Sequence, residues 1–94
     1  MNNTDNQVII TVSGTDKVGI VAGVSNKLLQ LNVNIEDIKQ TIMQNNFAMM
    51  MLCDISKLTV SFKEFKDAML ALGDVLEMEI WVQKKDLFDK MHTG

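Results

Sequence analysis

The chain has 94 residues, 47% of them hydrophobic and 22% charged, a composition that suits one globular domain rather than a disordered chain. Its net charge is -3 and all nine basic residues are Lys, so Arg-borne recognition of phosphate, carboxylate or guanine is absent and nucleic acid is disfavoured as a partner. A lone Cys53 excludes an internal disulfide. No apolar run approaches the ~18 residues of a membrane span, and the polar start "MNNTDNQ" is no signal peptide, so a cytoplasmic location is expected.

In chain order, "QVIITVSG" sets Val8, Ile10 and Val12 against Ile9, Thr11 and Ser13, which predicts a half-buried strand closed by Gly14. Asp16 reads as the cap of the helix that follows, where Ile20 or Val21, Val24, Leu28 and Leu31 recur every three or four residues as one buried stripe. Gly19 fits that helix poorly, because an interior glycine gives up about 1 kcal/mol relative to Ala.

"VNIEDIKQTIMQ" fits a helix or a strand. The alternation of Ile38, Gln40 and Ile42 selects a strand, and the three-residue step from Ile35 then requires a bulge near Glu36 and Asp37. Asn45 and Asn46 are expected to form the hairpin turn, since Asn tolerates positive φ. "FAMMMLCDI" is a third strand, apolar on both sides.

In "SFKEFKDAMLALG", Ser61 and Glu64 form a capping box, Phe62, Phe65, Met69 and Leu72 the stripe, and Gly73 the stop. "VLEMEIWVQKK" alternates Met78, Ile80 and Val82 with Glu77, Glu79, Trp81 and Gln83. The tail adds a helical turn through Leu87, Phe88 and Met91.

Strand, helix, strand, strand, helix, strand is the ferredoxin-like α+β plan: a four-stranded antiparallel sheet with both helices on one face. The expected domain spans residues 7–92, after a disordered polar N-terminus at 1–6. Helices cover only one side of the third strand. Its second row, Ala48, Met50 and Leu52, joins Ile9 and Trp81 in a patch larger than a soluble monomer usually exposes. Either the chain forms a homodimer or higher oligomer, by sheet face or sheet edge, or the tail from Leu87 to Met91 folds over the patch.

Catalytic and metal chemistry find no foothold. His92 is the only His and Cys53 the only thiol, short of the three or four ligands a metal site needs, and Cys53 in an apolar strand reads as a small core hydrophobe. No catalytic residue, metal or cofactor is expected. Among ferredoxin-like domains, metal chaperones carry a Cys pair in the first loop, RNA binders stack bases on sheet aromatics, and acylphosphatase-like enzymes hold phosphate with Arg. "SGTDKVGI" has no Cys, the first and third strands offer Phe47 alone, and the chain has no Arg.

"DKVGIVAGVSNKLLQLNVNI" resembles the signature of ACT domains, an Asp-x-x-Gly loop that opens the first helix and an Asn-Ile pair that starts the second strand. The likeness covers roughly residues 7–92, continuing through "EDIKQTI" and "MEIWVQ". It is greatest to short stand-alone ACT proteins, which are similar in turn to the ACT modules of the glycine cleavage repressor and formyltetrahydrofolate deformylase.

The resemblance implies a regulatory domain that binds a small ligand, most often an amino acid, where the first loop of one subunit meets the second strand of its neighbour. Gly19 then matches the loop glycine and Asn34 the Asn of the strand start, with Asp16, Val18, Ile20 and Ile35 flanking the pocket. Two departures stand out: Asn32 replaces a common Gly after the helix, and Val18 replaces the proline before the loop glycine.

Each of these residues also has a structural reading. Gly19 suits close packing of helix on sheet, Asn34 a bond to its own turn, Asp16 a helix cap, and Trp81 an interface anchor. Three functions follow: a ligand-sensing module at a homodimer interface that signals through a metabolic enzyme or regulator, an assembly protein indifferent to small molecules, and an enzyme, for which clustered titratable groups are lacking.

Overall fold

The computed structural model describes residues 6–92. The N-terminus expected to be disordered at 1–6 lies outside these residues except for Asn6. The elements are β1 (Gln7–Thr15), α1 (Ile20–Gln30), β2 (Asn34–Met43), β3 (Asn46–Asp54), α2 (Phe62–Leu76), β4 (Glu79–Lys84) and α3 (Lys85–His92). The strands form one antiparallel sheet in the order β2-β3-β1-β4, which is the ferredoxin-like architecture.

Two periodicities build the core. Alternation in the strands aims Val8, Ile10, Val12, Phe47, Met49, Met51, Cys53 and Ile80 at the helices. Ile20, Val24 and Leu28 of α1 meet them with Phe65 and Met69 of α2, one turn apart. The bulge falls where the strand pattern breaks, between Ile35 and Asp37. The capping box is complete: the Glu64 N–H donates to Ser61 Oγ and the Ser61 N–H to Glu64 Oε1, both at 3.1 Å.

Three local expectations are corrected. Asp16 does not cap α1; its N–H donates to the Asn45 carbonyl at 2.7 Å and continues the β1–β3 ladder, while Gly19, at φ 92, precedes the first helical residue. The hairpin turn is Gln44–Asn45 with Gln44 at φ 57, because Asn46 is already paired to Met43. Gly73 does not stop α2. The helix runs on to Leu76, and Glu77 at φ 58 ends it. Gly73 instead lets the return strand approach: its carbonyl accepts from the Met78 N–H at 2.9 Å, and a Cβ there would stand 2.8 Å from the Met78 carbonyl.

On the other face, α3 lies across part of the sheet. Phe88 borders a hollow of about 220 Å³ with Ile9, Met50 and Leu52, and Gln83 Nε2 donates to Met91 Sδ at 3.6 Å. Ile9 is thereby buried, whereas Met50 and Trp81 remain 40% and 55% exposed. The tail therefore covers one portion of the apolar face and leaves the rest open. Among the described residues no helix is long and apolar enough to cross a membrane.

Candidate functional site

The first candidate half is the β1–α1 loop. Gly19 stands at φ 92, where only glycine is unstrained, and a Cβ added to it would meet nothing within 4 Å. Its role is conformational, and close packing does not require it. Among the described residues no side chain caps α1, and no acidic residue occupies its first turn, so the positive end of the helix and its first N–H groups find no side-chain acceptor there. Lys17 Nζ anchors the loop to the end of α2 through Glu77 Oε1 at 3.1 Å. Val18 is fully exposed, while the Ile20 side chain is in the core at 2% exposure. Ile20 therefore offers its backbone rather than its side chain to the loop surface.

The second half surrounds the start of β2. Asn34 is exposed and pairs with Asp54 across the β2–β3 ladder. It borders a hollow of about 410 Å³ shared with Leu29, Asn32, Asp54, Ser56 and Lys57. Asn32 holds the turn at φ 62 and donates from Nδ2 to the Lys57 carbonyl at 3.0 Å, so the Asn that replaces the common glycine preserves a left-handed turn. Asp54 Oδ1 accepts from the Ser56 N–H at 2.8 Å. Lys57 has no ion pair among the described residues.

A cation, a carboxylate and a carboxamide thus surround one hollow, a donor and acceptor set matched to a small zwitterion. Asp54, Ser56 and Lys57 were not legible as site residues. They gather at Asn34 only through the strand register and the turn after it, although "DISK", the last residue of β3 and the turn that follows, was a usable signal.

Ile35 is half-buried opposite Cys53 and packs on the core. Burial, with a smaller contribution from the Glu36 carboxylate, pushes the Cys53 thiol up to about 12, so it stays protonated and is a poor nucleophile. Among the described residues no three His, Cys, Asp or Glu side chains converge as a metal site would.

The two halves do not meet within one chain. The loop is tied to the β2–β3 hairpin by the Asp16–Asn45 bond, level with Thr15, whereas Asn34 is level with Gln7 at the opposite end of the sheet. Eight strand steps of about 3.3 Å separate these levels, roughly 26 Å.

The ACT domain family matches residues 6–83. The chain belongs to the ACT domain family. A UPF0237 protein of Listeria innocua is 50% identical over 86 residues, which cover 92% of this chain and 97% of the relative. The ACT domain protein from Streptococcus pneumoniae superposes with a TM-score of 0.77 at 40% identity, over 87% of this chain and 92% of that one. A formyltetrahydrofolate deformylase from Pseudomonas syringae shares the fold alone, with a TM-score of 0.75 at 23% identity over 82% of this chain and 26% of its own. ACT domains are generally regulatory modules that bind small ligands rather than catalysts. The ACT match ends at Gln83, before α3 begins.

Proposed function

We propose that this ACT domain is a non-catalytic regulatory module that binds a small ligand, an amino acid or related small anion, between two copies of the chain and signals through a partner protein such as a metabolic enzyme. The observation that carries this reading is the separation of the two halves. A two-fold neighbour whose β2 runs antiparallel to β2 of the first chain turns its Asn34 end toward the hairpin and loop of that chain.

The free edge of β2 suits such pairing. Bonds from Asp16 to Asn45 and from Ile55 to Asn6 fix the phase of the ladder, so even-numbered residues of β1 bond to β3. By alternation Ile38, Gln40 and Ile42 direct their backbone groups outward. A register centred on Gln40 opposes Ile38 to Ile42 of the partner subunit twice, along the stretch of β2 beyond the bulge. These two isoleucines are 41% and 54% exposed in the single chain.

In this reading the positive end of α1 and Lys57 hold the ligand carboxylate, and Asp54 and Asn34 the ammonium group. Thermal unfolding against a panel of amino acids, folates and small organic anions tests it. A true ligand at about a hundred times its dissociation constant adds roughly 2.7 kcal/mol of stability. A flat panel, in folded dimeric protein, would instead favour an assembly module that docks on a metabolic enzyme without a ligand.

A further inference from the structure

The opposite edge of the sheet carries a different surface. The phase that turns Ile38 outward on β2 makes Ile9, Thr11 and Ser13 bond to Gln83, Trp81 and Glu79, so Ile80 and Val82 direct their backbone N–H and C=O groups away from the sheet. A groove of about 490 Å³ runs along this edge, lined by Trp81 and Gln83 on one side and Lys66 and Leu70 of α2 on the other. Trp81 and Leu70 are each 55% exposed. Among the described residues no acidic side chain lines the groove. The ammonium groups of Lys66 and Lys84 sit 5.7 and 4.7 Å from the Phe62 ring centre, and neither has an ion pair among the described residues.

We infer that the β4 edge is the docking strip for a separate protein, which adds an extended, apolar segment bearing an acidic residue to the sheet. The main-chain groups of Ile80 and Val82 extend the ladder, Trp81 and Leu70 flank alternate side chains of the guest, and Lys66 or Lys84 meets its carboxylate. Charge argues against a second copy as the occupant, because two-fold pairing would bring one lysine-bordered groove against another. Symmetry argues against it as well. With β2 already self-paired, self-pairing at β4 generates an open ribbon rather than a closed assembly; this second argument rests on the dimer proposed above. The surface supplies what a regulatory module needs beyond its ligand, a contact through which the signal leaves.

The test is a random-peptide display selection on the immobilised full chain, counter-selected against a Lys66→Glu, Trp81→Ala double variant whose fold is checked by circular dichroism. The enriched peptides are expected to alternate apolar residues around an acidic one and to slow amide exchange at Ile80 and Val82 about tenfold or more, leaving Ile38 and Ile42 unchanged. Lys66→Glu alone weakens these peptides about tenfold. The inference is overturned if nothing is enriched above the double variant, if enriched peptides protect other amides, or if the double variant changes the oligomeric state, which would make the edge a self-interface. The thermal response to small molecules is read separately, so a peptide that docks on protein with a flat small-molecule panel would sink the sensor reading and leave the strip standing.

Discussion

Gly19 and Gly73 answer to different physics. Gly19 is needed for its backbone angle and has empty space where a side chain would point, whereas Gly73 has ordinary helical surroundings and a carbonyl where the side chain would point. Gly19→Ala should therefore cost about 1–2 kcal/mol through left-handed strain alone, and Gly73→Ala about 1–3 kcal/mol through displacement of β4. Urea titration of both variants checks the size, and amide shifts of Met78 and Ile80 should move only in the second. If Gly19→Ala perturbed the β4 amides, the empty space assigned to it would be wrong. From the sequence, Gly19 was visible as out of place in a helix and Gly73 looked like a stop. A glycine announces that something is sterically special, but whether it serves an angle or an approach depends on what the fold brings opposite it.

At the scale of elements, α2 was the most legible because its signals are local. Ser61 and Glu64 lie three residues apart and satisfy one another without help from the rest of the chain. Ser61→Ala should cost about 1 kcal/mol. The Ser61 backbone N–H, and then its hydroxyl, hold the Glu64 carboxyl below the usual range. A lowered folded value means that this contribution is present above the unfolded carboxylate value of about 4.3 and is lost as pH falls through the folded one. Glu64→Gln keeps an acceptor that does not titrate. The wild-type advantage over it should shrink as the pH drops through the carboxylate range, and a constant gap between their urea midpoints would contradict the box.

β2 was legible for the opposite reason: its bulge left a period break at Ile35 that no regular strand produces. The start of α1 was misread because Asp16 is a good cap by type, yet its backbone is already committed to the β1–β3 ladder. Ladder bonds to a distant strand leave no trace in a local window.

For the whole molecule, the strand order followed from the alternating pattern, and the apolar second row of β3 pointed to a face in need of cover. How far α3 covers it was not readable, since helical spacing in a tail does not say where the helix lands. The candidate site was legible in halves. Gly19 and Asn34 were named from the resemblance to ACT domains, but their placement at opposite ends of one sheet is a property of the ladder, as is the gathering of Asp54 and Lys57 beside Asn34. The edge-paired dimer is checked by Gln40→Pro, which removes an outward N–H from β2 while sparing the bonds to β3. It should sediment as a monomer and lose its thermal response to ligand. A variant that stayed dimeric would move the interface to the sheet face.

The roughly 26 Å between the loop and Asn34 also bears on what the cell would be measuring. In the proposed two-chain site the halves reside on different molecules, and such a receptor is second order in its own abundance. On that proposal, metabolite finds no seat below the concentration at which the chains pair, however plentiful it is. By reciprocity, metabolite tightens the pairing by the same factor that pairing tightens metabolite. Expression level then acts as a gain control, setting the threshold at which the small molecule is noticed and sharpening the response around it.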